Sequence, residues 1–93
     1  MTDSYQAMLE HTLVRLREQL TWTPLYLTPD EEDEVDLLAH RIYTSAADLI
    51  VFGNLNAHVA LRQQCLKNIN DTLDRIEKWQ ELDNHRASVI LSN

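Results

Sequence analysis

The feature that most restricts this chain is how few of its residues interrupt a helix. Its 93 residues include two prolines, Pro24 and Pro29, and one glycine, Gly53. Proline lacks a backbone N–H and clashes with the preceding turn, and glycine commonly follows a helix end. Breaks are therefore expected in two places, and they divide the chain into three segments rich in Leu, Ala, Glu and Gln. A β-rich chain of this length needs many more turn residues. The expected fold is all-α: a three-helix antiparallel bundle with helices over about 3–21, 29–52 and 55–84. The chain reads as one domain, 1–93, with 85–93 a tail that folds back or frays.

Apolar spacing supports each helix. In the first, Tyr5, Met8, Leu9, Leu13, Leu16 and Leu20 keep one stripe of a 3.6-residue period, with Thr2 or Ser4 as cap. Glu10, His11 and Arg15 read as surface residues. The second opens on a Thr-x-x-Glu capping box, Thr28 to Glu31, with Pro29 at its first position. Its core stripe is Val35, Leu38, Ala39, Ile42, Ala46, Leu49 and Ile50. A second stripe, Leu37, His40, Thr44, Ala47 and Val51, lies on the other side and implies a further contact there. The third helix, capped by Asn54 or Asn56, carries Leu55, Val59, Arg62, Leu66, Ile69, Leu73 and Ile76 in alternating steps of four and three. That is a heptad-like seam with one charged intruder. Asp71 with Arg75, and Asp74 with Lys78, are expected as i,i+4 pairs. The apolar surplus on the second helix points to a homodimer that builds a larger bundle, or to a heteromer.

Charge is concentrated. The formal net charge is −7, and "TPDEEDEVD" holds Asp30, Glu31, Glu32, Asp33, Glu34 and Asp36 without a cation. The remainder, nine carboxylates against eight Lys and Arg, is nearly neutral. A helix N-terminus favours two or three such carboxylates, not six. The surplus suits a basic patch on another protein, where it would speed association and fix orientation. It does not suit nucleic acid, which needs clustered Lys and Arg. The same lack of a basic stripe argues against a helix-turn-helix reading of the turn at Gly53. The linker "TWTPLYLTPD" adds Trp22 and Tyr26, residue types common at binding hot spots, although covering the bundle end would also use them.

Catalytic and metal chemistry find little to work with. His11, His40, His58 and His85 lack a second ligand at metal spacing, and the acidic run lacks the turn glycine of a calcium loop. Cys65, the single cysteine, lies on the seam side of the third helix and reads as a buried thiol. No disulfide within the chain, cofactor or metal is implied. No apolar run approaches membrane-spanning length and the N-terminus is polar, so the expected location is cytoplasmic, in a cell or an infected host cell.

The stretch "LLAHRIYTSAADL", Leu37 to Leu49, resembles the phosphoacceptor segment of histidine phosphotransfer domains, small helical bundles with a solvent-facing histidine. The resemblance covers about a dozen residues and implies phosphotransfer at His40. Where that family carries Lys and Gly, this chain carries Tyr43 and Thr44. The leading expectation is different: a small acidic helical protein, not an enzyme, that binds and occludes another protein as an inhibitor, immunity or antitoxin-like, anti-defence or chaperone-like factor. Its expected contacts are the six carboxylates with Trp22 and Tyr26, and a second interface along Leu37, His40, Thr44, Ala47 and Val51. A structural dimer or assembly component is the third reading.

Overall fold

The computed structural model describes residues 4–53 and 59–92. It is an all-α three-helix bundle: α1 Ser4–Leu20, α2 Pro29–Gly53 and α3 Val59–Leu91. The caps expected at Thr2, Asn54 and Asn56, together with Leu55 and His58, lie outside the described residues. The chain runs up α1, down α2 and up α3. Side-chain pairs fix this register, since Thr12 meets Asn70 and Gln19 meets Gln80, whereas Glu31 meets Arg86.

α3 is the middle helix. It packs against α2 along most of its length and against α1 on another side, but no Cα of α1 comes within 8 Å of one in α2. The result is an open bundle with Cα extents of 56 × 27 × 16 Å. Its radius of gyration is 15.8 Å, against about 12 Å for a compact domain of this length.

The core belongs to α2 and α3. Leu38 and Ile42 interlock with Ile69, Leu73 and Ile76, and Leu66 is fully buried on the same seam. Each such side chain contributes about 2 kcal/mol through burial. Leu16, Trp22, Ala46 and Trp79 close around this cluster, half-buried. The charged intruder, Arg62, lies with its guanidinium 4.9 Å from the centroid of the Tyr5 ring, a cation–π arrangement.

Four expectations are corrected. The α1 stripe meets α3 only in part: Leu16 packs against the core, but Leu13 and Leu20 are exposed, and Thr12, outside the stripe, is buried. α1 docks through the polar edge beside that stripe. The hydroxyl of Thr12 accepts from the Asn70 amide at 2.7 Å, and Arg15 donates to Asn70 and to Asp74. Arg15, read as a surface residue, therefore anchors α1, with its side chain only 13% exposed. Burial opposes its charge, and the hydrogen-bonded carboxylates of Asp74 and Glu77 outweigh that, raising its pKa. The pairs within α3 also differ, because Asp74 is taken by Arg15 and Asp71 pairs with Lys67 instead. Finally, α3 does not stop near Asn84. "HRASVIL" contains no breaker and continues the helix to Leu91, and Arg86 within it is tied to the start of α2.

Candidate protein-binding groove

Because the backbones of α1 and α2 flank α3 more than 8 Å apart, a trough of about 490 Å³ opens between them. Leu16, Gln19 and Leu20 form one wall, Val35, Ala39, Ile42, Tyr43 and Ala46 form the other, and Ile76 of α3 lies at the base. Leu16 and Leu20, at the end of the α1 stripe, and one flank of the α2 stripe thus face the same open space. Leu20 is 75% exposed and Tyr43 65%, large apolar side chains left uncovered among the described residues.

The linker closes one end with Trp22, Thr23 and Pro24. It is held by α3. Asp83, only 4% exposed, accepts the backbone N–H groups of Leu25 at 3.1 Å and Tyr26 at 2.7 Å, and the indole N–H of Trp22 at 3.3 Å. A carboxylate is the side chain best able to satisfy several converging donors at once. One turn later, Arg86 donates to the carbonyl oxygen of Tyr26 at 2.9 Å and grips both carboxylate oxygens of Glu31. Glu31 is also the capping-box residue: it accepts from Thr28 N–H at 2.8 Å and donates its own N–H to the Thr28 hydroxyl at 3.2 Å. Arg86, and then the Thr28 N–H, hold the Glu31 carboxyl down at about 2.

The acidic run is thereby divided. Glu31 is engaged within the fold, while Asp30, Glu32, Asp33, Glu34 and Asp36 are exposed. Glu32 and Asp36, four residues apart, stand on the α2 wall of the trough and are its sole charged lining residues among those described. Trp22 and Tyr26 are both half-buried, Trp22 against the core and Tyr26 held at its backbone. Along the second stripe of α2, Leu37, His40, Thr44, Ala47 and Val51 are all exposed and none lines the trough, while His40 and Thr44 border α3. Asp83, Arg86, Thr12 and Asn70 were not singled out by sequence. Their partners lie 55 to 61 residues away, so no local spacing marks them. Cys65 is buried, and burial, aided by nearby Asp48, pushes its thiol up.

Among the described residues no group of three His, Cys, Asp or Glu is placed to hold a metal ion, and no helix is long and apolar enough to cross a membrane. The chain matches no protein-family model, no curated protein and no solved structure.

Proposed function

We propose that the protein is a binding module whose trough receives an amphipathic helix, carrying basic residues on one flank, from a different protein. The observation behind this is the combination in one trough of apolar walls and purely acidic charge. An amphipathic helix in a groove presents anchors at i, i+3, i+4 and i+7. The α2 wall from Val35 to Ala46 spans about 16 Å, or three turns of such a helix. A fourth helix seated there would convert the open bundle into a four-helix one, covering Leu20 and Tyr43. Charge selects the occupant. Glu32 and Asp36 favour Lys or Arg, and the neighbouring exposed carboxylates steer a basic segment toward the trough. A second copy, itself at net charge −7, brings the wrong sign. Occupying a helix of the partner denies that helix to its other contacts, and this is how the module would act as an inhibitor or chaperone.

The test uses a labelled amphipathic peptide of about four turns, with leucines at the anchor spacing and lysines on one flank, titrated by fluorescence anisotropy. Wild type is expected to bind it. Ala39→Arg, which fills the trough, should weaken binding about tenfold or more. Glu32→Gln with Asp36→Asn should slow association and remove most of its salt dependence. Absence of binding, or equal binding by Ala39→Arg, overturns the reading. A wild-type dimer in sedimentation that Ala39→Arg dissociates would assign the trough to a second copy instead.

A further inference from the structure

A second depression, of about 370 Å³, lies between α2 and α3, and no residue of α1 borders it. His40, Arg41 and Ser45 face it from α2, and Asn68, Asp71 and Arg75 from α3. Its chemistry is the reverse of the trough's. The chain has eight Lys and Arg, and several are committed: Arg15 to Asp74 and Glu77, Lys67 to Asp71, Arg86 to Glu31, and Arg62 to the Tyr5 ring. Arg41 and Arg75 are exposed and, among the described residues, enter no ion pair or hydrogen bond. Yet they border one depression from opposite helices, with the His40 imidazole beside them. Asp71, the single carboxylate there, is offset by Lys67 at 3.6 Å.

The neutral groups are arranged as donors too. The Asn68 carboxamide oxygen already accepts from Gln64 at 3.0 Å, which leaves its NH2 to donate. The Ser45 hydroxyl has no partner among the described hydrogen bonds. Thr44 and Thr72, which also line the depression, spend their hydroxyl protons on the carbonyl oxygens of His40 and Asn68. Two guanidiniums, a carboxamide NH2, a hydroxyl and an imidazole call for a compact ligand that only accepts hydrogen bonds and carries more than one negative charge. A carboxylate offers two oxygens and one charge. A phosphate monoester offers three peripheral oxygens and nearly two charges, and guanidiniums bind it in bidentate fashion.

We propose that this depression binds a phosphate monoester dianion, with Arg41 and Arg75 as its principal ligands and Asn68, Ser45 and His40 completing the cradle. The assignment is independent of the trough and involves no covalent step. It is tested by 1H–15N NMR titration with two probes, inorganic phosphate and N-acetyl-phosphoserine amide. Saturable shifts are expected at His40, Arg41, Ser45, Asn68 and Arg75, with affinity about tenfold or more weaker in Arg41→Gln/Arg75→Gln and unchanged in Arg17→Gln. Tighter binding of the phosphoserine probe marks a phosphorylated side chain as the source, and tighter binding of inorganic phosphate marks the free anion. Shifts that do not saturate with either probe, or equal affinity in wild type and the double variant, overturn the proposal. Both arginines are exposed, so circular dichroism is expected to show the variant folded, and each single variant repeats the comparison if it is not.

Discussion

The carboxylate of Asp83 accepts the backbone N–H of Tyr26 at 2.7 Å across 57 residues of sequence. That contact, with those to Leu25 and Trp22, turns an irregular linker into a fixed end wall. Replacing Asp83 with Ala strands two backbone N–H groups and an indole N–H in a partly buried site. The expected loss is about 3 kcal/mol, measured by urea denaturation, with a red-shifted tryptophan emission as Trp22 loosens. Asp83→Asn keeps one accepting oxygen and should lose less. Equal stability of wild type and Asp83→Ala would show that the linker holds itself.

The Glu31–Arg86 pair gives stability a defined dependence on acid. The folded value of Glu31, about 2, lies below its ordinary 4.5. A lowered folded pKa stabilises the native state above the unfolded value and stops doing so as the carboxylate is protonated in the fold. The contribution of the pair is therefore complete above about pH 4.5 and is lost as pH falls toward about 2. Thermal melts across that window should fall less steeply for Glu31→Gln than for wild type, and the two curves should converge at the acid end. Parallel curves would mean that the pair is not formed in solution.

Thr12 and Asn70 join α1 to α3 through a buried hydrogen bond of 2.7 Å. Thr12→Val and Asn70→Ala should each cost about 1–2 kcal/mol, and the double variant less than their sum, because each single change already breaks the shared bond. A double-mutant cycle by denaturant titration reads the coupling directly. Strict additivity would place the stability of α1 elsewhere, in Arg15 and its carboxylates.

Some of this architecture is written locally. Thr28 and Glu31 announce a helix start within four residues, and the structure shows both reciprocal bonds of the box. The α3 seam at Leu66, Ile69, Leu73 and Ile76 is visible as a period and is buried throughout. What sequence did not disclose depends on distant partners. An apolar period locates a stripe on α1, but it cannot say that Thr12 and Arg15, at the edge of that stripe, find Asn70 and Asp74, and so leave Leu13 and Leu20 uncovered. Asp83 and Arg86 carry no local signal, because their partners lie in the linker and at the start of α2. The acidic run was visible at once, whereas its division into one structural carboxylate, Glu31, and two on the trough wall, Glu32 and Asp36, required the helix to be placed.

The gap between the α1 and α2 backbones separates two tasks that small domains usually combine. Leu38, Ile42, Ile69 and Leu73 form the core between α2 and α3, whereas α1 adds Leu16 at its edge and is otherwise fastened by side-chain hydrogen bonds and ion pairs. Substitutions in α1 can therefore alter the fit of the trough while leaving the α2–α3 hairpin intact.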